Sequence, residues 1–399
     1  MNILFVTPYL PSPPQFGAQR RLEGLMRGLA ARHRVSLLSY TSVGADGQAA
    51  TREYCHELRT VNHDVLKLGL GNKRLAQLRS LASRGSFERM LYLRKEFQVE
   101  LDRMMSTGEY DVVQVEFAQM GIYRLPRSPN RKCCFVLDEH NIEYDIVKRT
   151  AEGQGSLVRT LYSAVNWRKL RSEELDAWRR FDGVALTSAR DEEFVKREAP
   201  KTPTAVVPNA VDLDGFRPSS APLEPETLVF LGAMDYHPNI EGMAFFLDEV
   251  FPLILARRPN TKLLVVGRNP TEALLSRRSA NVEFTGLVDD PRPYVERATA
   301  MIVPLRLGGG TRFKIVEAMA QGKAIVSTRI GAEGLDVSHE QNILLGDTPQ
   351  DFAAQTERLL ADPALGARLG KAARELAERQ YGWSSAIDLL EAFYERLLG

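Results

Sequence analysis

The chain has 399 residues, 44% hydrophobic and 26% charged, which is ordinary globular composition and enough length for two domains that each bury a core. The net charge of +1 conceals an asymmetry, since residues 1–200 hold 31 Lys+Arg against 25 Asp+Glu while the remaining residues hold 21 against 26. That balance excludes the basic density of a nucleic-acid binder, and no apolar run approaches the ~20 residues that a membrane-spanning helix needs.

The opening NILFVT is a short apolar run suited to a strand buried on both faces. A proline-rich loop, PYLPSPPQFG, leads into AQRRLEGLMRGLAARH, which reads as a helix with Leu22, Leu25, Met26 and Leu29 on one face. RVSLLSY is the next strand, so the chain opens as the β–loop–α–β start of a doubly wound sheet. The opening MNILFVTPYLP lacks the basic flank and apolar length of a signal peptide. Residues 73–106 predict an amphipathic helical stretch carrying Arg74, Arg79, Arg84, Arg89 and Arg94, and 157–181 predict a second. DVVQVE, KCCFVLDEH and GVALTS predict three further strands, and DEEFVKREA a helix. Cys55, Cys133 and Cys134 provide neither a disulfide framework nor a metal-ligand spacing, which points to a reducing, cytoplasmic compartment.

Residues 200–225 are dense in Pro, Ser and Ala and read as a linker. The α/β rhythm then restarts with TLVFLG, a helix over NIEGMAFFLDEVFPLILARR, and the strands KLLVVG, NVEFTG, AMIVPL and AIVST. The tail is helical. These patterns predict an α/β protein of two Rossmann-like doubly wound domains facing across a cleft, the first over 1–205 and the second over 206–382. Ligands in such folds bind beyond the carboxyl ends of the strands, so the loops there carry the candidate chemistry.

The sharpest local pattern is LGGGTRFKIVEAMAQGKAIVST, residues 307–328. Gly308, Gly309 and Gly310 follow a strand, and Thr311 is expected to cap the helix after them. A helix start with glycines before it lets backbone N–H groups approach a phosphate. Arg312 and Lys314 oppose the helix dipole unless an anion neutralises them, and Glu317 is placed to accept hydrogen bonds from a ribose diol. A plain glycine-rich turn with solvated charges is the competing reading.

This block is similar to the donor-binding signature of family 4 glycosyltransferases. VPNAVDLDGF (207–216) resembles their linker motif, PYLPSPPQFGAQRR their N-terminal glycine loop, and LDEHNIEY the motif around His140. GAMDYHPNIEGMAFFLDEVFPLI (232–254) resembles a subgroup tied to exopolysaccharide assembly. The resemblance implies a GT-B fold in which the last helix, 383–399, crosses back to pack on the first domain, and a retaining transfer from a nucleotide-diphosphate sugar, the donor being a co-substrate rather than a cofactor, with no metal required. It assigns catalytic roles to His140, Arg312 and Lys314. It assigns donor contacts to Gly17, Asp138, Asn141, Gly232, Asn239, Gly267, Leu287, Val288, Gly309, Gly310, Thr311, Arg312, Lys314 and Glu317. Arg20, Glu116, Asp235 and Tyr236 are acceptor-side candidates. The chain departs from the pattern at Gly309, where many relatives carry a first glutamate, and in GAMDYHPN, where many carry an Arg and a Lys. Arg312 and Lys314 are therefore expected to take over the diphosphate charge.

The expected partners are the nucleotide-sugar donor and a saccharide, lipid-linked or small-molecule acceptor, with no nucleic acid. The Arg-rich stretches leave open a peripheral contact at the inner membrane face. Asp212-Leu213-Asp214 reads as structural, and Asp289-Asp290 as a helix-start cap or turn, rather than as metal ligands. A sugar-nucleotide epimerase on the same fold and a non-catalytic scaffold are the alternatives.

Overall fold

The structure is a computed structural model that describes residues 1–42, 46–63, 76–77, 79–127, 132–152 and 157–399. The chain divides into two compact units, Met1–Pro208 with Ala386–Gly399, and Asn209–Ser385. Each is an α/β unit built on one parallel sheet.

The first sheet contains β1 (Asn2–Thr7), β2 (Arg34–Thr41), β3 (Glu57–Asn62), β4 (Val112–Glu116), β5 (Cys134–Glu139), β6 (Gly183–Leu186) and β7 (Thr204–Val206), in the order β3-β2-β1-β4-β5-β6-β7. The chain winds outward from β1 in one direction and then from β4 in the other. The switch point between β1 and β4 is where a doubly wound sheet opens a crevice. The helix Gly17–Ala30 seats Leu22, Leu25, Met26 and Leu29 with no exposure. Each such side chain contributes roughly 1.5–3 kcal/mol by leaving water. Arg21 is as buried as they are.

The C-terminal helix Trp383–Leu398 packs its residues from Ala386 onward into this unit. A Cβ on Gly28 would lie 1.8 Å from Ile387 Cδ1, so the glycine lets the first helix meet that side chain without displacing it. Arg32 bonds Asp388 and Glu391 at 2.6 Å each at the rim of the same contact.

The second sheet contains β8 (Glu224–Leu231), β9 (Lys262–Val266), β10 (Val282–Gly286), β11 (Ala298–Val303), β12 (Ile325–Ser327) and β13 (Leu344–Leu345), in the order β10-β9-β8-β11-β12-β13. Its switch point lies between β8 and β11. The core is a single cluster running from Val211 to Tyr381, with Phe230, Phe246 and Phe352 among its largest members.

Three sequence expectations need correction. The linker over 200–225 contains a strand, because Thr204–Val206 pairs with β6 as the last strand of the first sheet. Its flanking Pro203 and Pro208 suit an edge, where a missing N–H breaks no ladder. The helix expected over 239–258 is interrupted: His237–Phe245 is α-helical, Phe246–Val250 is a π segment, and Phe251–Arg257 resumes the α-helix. Pro252 lacks the N–H that the turn before it would receive, and widening the turn absorbs that loss. The stretch 73–106 is not continuous either. Ser86 accepts from Arg89 N to start the helix Phe87–Tyr92, which ends at Leu93 before Lys95–Thr107 begins. Arg74 lies outside the described residues.

Candidate functional site

In the first unit, four candidate residues gather at the carboxyl ends of β4 and β5. The register pairs Glu116 with Asp138, so the parallel alignment alone brings the two carboxylates side by side. Both are fully buried. His140 Nε2 lies 2.7 Å from Glu116 Oε2 and 3.9 Å from Asp138 Oδ2. Asn141 sits half-buried beside them and its side chain bonds Glu143.

Charge balance in this cluster comes from a residue the sequence reading passed over. Arg21 donates to both Asp138 oxygens, at 3.0 and 2.9 Å, and to the Val207 carbonyl at 2.9 Å. Arg20, chosen instead, is exposed. Gly17 is not a loop residue but the first residue of the helix Gly17–Ala30. Phe117 was also passed over. Its φ of 67° is rare for a residue with a Cβ, and its ring centroid lies 3.9 Å from that of His140. A strained backbone that carries a ring onto a strand-end histidine is the sort of outlier that clusters at functional sites.

Burial dominates the ionisation of the cluster. It holds His140 down to about 3, so the imidazole is neutral, and pushes Glu116 up to about 7 against the opposing pull of Gln114 and Arg21. Asp138 is raised for the same reason, with Arg21 opposing. Nearby, Glu139 accepts from Trp178 Nε1 at 2.8 Å, and Glu174 accepts from the Glu143 and Tyr144 amides at 2.9 and 3.0 Å. Burial raises Glu139, Glu143 and Glu174 as well. The ligand atoms of Glu116, Asp138 and His140 lie within 4.8 Å of one another, the spacing of a cation site. The guanidinium of Arg21, bonded to both Asp138 oxygens, already places one positive charge against this group.

A consequence for stability follows. Carboxyls raised in the folded state hold protons that the unfolded chain has released, with ordinary glutamate near 4.3. Their contribution is fully present at acid pH and is lost as pH rises through about 7. His140, held neutral, works the other way, but only between about 3 and 6.5. The melting temperature is therefore expected to fall from pH 6.5 to pH 8.5, and Glu139→Gln to flatten that fall. A melting temperature that climbs across this window contradicts it.

In the second unit the candidates gather around the β8–β11 switch point. Gly308 and Gly310 adopt φ of 106° and 70°, which only glycine takes without strain. The helix that follows is Phe313–Ala320, with Arg312 in the capping position and no side-chain cap. The expected Thr311 cap is thus incorrect. Arg312 is extended (φ −93°, ψ 104°), which delays the helix, and the Thr311 hydroxyl is taken by Asn209 Nδ2 at 2.6 Å. The Asn209 of the linker motif thereby anchors the end of the glycine loop. Gly322, with φ 65°, follows the end of the helix.

Lys314 donates to Asn239 Oδ1 at 3.0 Å, and its Nζ stands 4.2 Å from the centroid of the Phe230 ring. Asn239 is turned for this by donating to the Ala233 carbonyl at 2.9 Å. Burial, with Arg312 adding to it and Glu317 opposing, lowers Lys314 to about 7. Gly232 makes room, since a Cβ there would meet Lys314 Nζ at 2.9 Å and Asn239 Nδ2 at 2.7 Å. Gly267 is required in turn, because its Cβ would lie 1.8 Å from the Gly232 oxygen. Arg312 turns back on its own loop and donates to the Gly309 carbonyl at 2.5 Å. Glu317 is buried one turn beyond Lys314.

The remaining candidates stand further out. Asp235 is exposed and accepts from Asn269 at 2.8 Å. Tyr236 is exposed at the cap of the helix His237–Phe245. Leu287 projects outward after β10 while Val288 packs on the core. Asp212 accepts from the Asp214 amide at 3.0 Å and Asp290 from the Arg292 amide at 2.9 Å, both as turns.

The family model described as Glycosyl transferases group 1 matches residues 225–362, which include the glycine loop, Lys314, Asn239 and Glu317. A 44.6 kDa protein from the cps region of Klebsiella pneumoniae is 22% identical over 229 residues, 55% of this chain and 57% of its own length. The D-inositol 3-phosphate glycosyltransferase of Nocardiopsis dassonvillei is 28% identical over 220 residues, 48% of this chain and 49% of its own. The chain spans about half the length of the curated relatives it matches. Among solved structures, Anabaena Alr3699/HepE in complex with UDP superposes with a TM-score of 0.69 at 15% identity, covering 99% of this chain and 100% of that one. The two parallel doubly wound sheets and the whole-chain structural likeness show a GT-B fold, and within it residues 225–362 are similar to the group 1 glycosyl transferases.

Proposed function

We propose that this chain is a retaining, metal-independent glycosyltransferase that moves a sugar from a nucleotide diphosphate to an acceptor hydroxyl in polysaccharide or glycolipid assembly. The observation that carries the reading is Lys314. Its ammonium is held at the first turn of a helix, beside a glycine loop, against an aromatic face and an amide oxygen. A leaving diphosphate would meet that cation, the Arg312 guanidinium and the free N–H groups of the helix start together.

Transfer breaks the anomeric C–O bond to the diphosphate and forms one to the acceptor oxygen on the same face. The acceptor's proton passes to the departing phosphate oxygen, so no side-chain nucleophile is required. His140, neutral across the working pH range, would act as a hydrogen-bonding group toward the sugar rather than as a cation or a general acid. The Anabaena relative was solved with UDP, which makes UDP the first ligand to try. A saccharide, a lipid-linked sugar or a small molecule would serve as acceptor. Among the described residues no helix is long and apolar enough to cross a membrane, so a lipid-linked acceptor would be met peripherally, through exposed arginines such as Arg79 and Arg84.

Thermal shift with UDP and with GDP tests the donor side. One of the two is expected to raise the melting temperature by several degrees, and Arg312→Gln with Lys314→Met to remove the rise. No stabilisation by any nucleoside diphosphate, or stabilisation untouched by the double change, would overturn the reading. Conversion of a nucleotide sugar to its epimer without acceptor would replace it with the epimerase alternative.

A further inference from the structure

A continuous chain of hydrogen bonds runs through the first unit from the C-terminal helix to His140. Tyr394, on the helix Trp383–Leu398, donates its hydroxyl to Gln114 Oε1. Gln114 Nε2 donates to Glu116 Oε1 at 2.7 Å, and Glu116 Oε2 meets His140 Nε2 at 2.7 Å. Tyr394, Gln114 and Glu116 are all fully buried. Burial keeps the Tyr394 phenol protonated, so it is a donor at any working pH. A phenol that donates fixes the amide of Gln114 with its oxygen toward the helix and its NH2 toward Glu116. Glu116 is then met by a donor on one oxygen, which favours a carboxylate that accepts on the other. The ring nitrogen facing it carries hydrogen, and Nδ1 is left as the nitrogen with a lone pair.

We propose that Tyr394 is a positioning residue that, through Gln114 and Glu116, sets which ring nitrogen of His140 bears the proton and so what His140 offers to a bound sugar. The inference draws its significance from the transferase reading, in which His140 meets the donor sugar, but its geometry and its test do not depend on it. The other groups facing Glu116 are Arg21 from the first helix, Asp138 from β5 and Tyr9 from the loop after β1. Arg21 is committed to both oxygens of Asp138, so it does not substitute for the Gln114 donor. Without the Tyr394 hydroxyl the Gln114 oxygen is buried with no donor. The amide is then free to turn its NH2 from Glu116 toward Asp138, whose Oδ2 lies 3.5 Å away. Glu116, left in a dry site without that donor, takes up one proton, holds it on Oε2 and donates it to His140 Nε2, so that nitrogen becomes the acceptor and the ring hydrogen sits on Nδ1.

The test is long-range 15N–1H NMR of histidine rings in the full chain, at pH 8.5 and without ligand. The chain has 6 histidines, and loss of one ring signal in His140→Gln assigns His140. Wild type is expected to show the Nε2–H tautomer, and Tyr394→Phe to convert it to the Nδ1–H form or a mixture of the two. Phe393→Leu, which disturbs the same helix without touching the chain, is expected to leave the His140 signals in place. If Tyr394→Phe does not fold, Gln114→Met breaks the next link and is read the same way. An unchanged His140 tautomer in the folded variant overturns the proposal, and so does an equal change in Phe393→Leu. No donor or acceptor enters the measurement, so failure of the transferase reading and failure of this inference give different results.

Discussion

Arg21→Met is expected to destabilise the first unit by about 3–5 kcal/mol, the size of effect seen when one partner of a buried ion pair is removed. Arg21 has no exposed surface, and neither does Asp138, on which its guanidinium makes two bonds of 3.0 and 2.9 Å. Methionine approximates the aliphatic stem but leaves Asp138, Glu116 and the Val207 carbonyl facing a vacated position. The cost arises from uncompensated carboxyl groups in a dry site, not from lost apolar area. It follows that Arg21→Met combined with Asp138→Asn should recover a large part of the loss, because the charge that needed a partner has gone. Urea denaturation of the three proteins checks this. Additive losses in the double variant, or a loss in Arg21→Met below about 1 kcal/mol, a surface pair's worth, would show that the pair is not the anchor described here.

Arg21 also shows where sequence reading succeeds and where it stops. The helix stripe of Leu22, Leu25, Met26 and Leu29 was legible because burial follows the 3.6-residue period. Arg21 lies four residues before Leu25 and seven before Gly28, the glycine that packs on Ile387, so it stands on that stripe. The adjacent Arg20 points to solvent. Taking the period seriously at charged positions would have chosen between them. Glu116, Asp138 and His140 were legible for a different reason: parallel strands end together, so groups at strand ends converge even when they are distant in sequence. What stayed hidden is non-local. No spacing announces that Lys314 meets Asn239 and Phe230, that Thr311 is claimed by Asn209, or that Tyr394 reaches Gln114 across 280 positions. The strand Thr204–Val206 was hidden by its prolines, which mark a linker by composition and an edge by geometry.

Nucleoside diphosphate binding is expected to weaken about tenfold for each unit of pH above 7, and Lys314→Met to abolish both the slope and most of the affinity. Burial and the neighbouring Arg312 lower free Lys314 to about 7, so above that pH it is mostly neutral before ligand arrives. A diphosphate against the ammonium favours the charged form and raises its pKa. Binding therefore takes up a proton between the free and the bound value, and affinity falls as protons become scarce. The ligand does not confuse the reading, because a terminal phosphate with a second pKa near ~6 is already ionised from pH 7.5 upward. Folding stability runs in the opposite direction for this one residue. Its lowered pKa means that the unfolded chain binds the extra proton, so its contribution improves as pH rises from about 7 toward 10.5. Isothermal titration at pH 8.5 in two buffers of different ionisation enthalpy measures the proton directly: about one taken up by wild type, none by Lys314→Met, which should bind the same ligand at least tenfold more weakly. Binding with no proton uptake in wild type would mean that the Lys314 ammonium does not receive the diphosphate, and the glycine loop with Arg312 would then have to carry the leaving group's charge by itself.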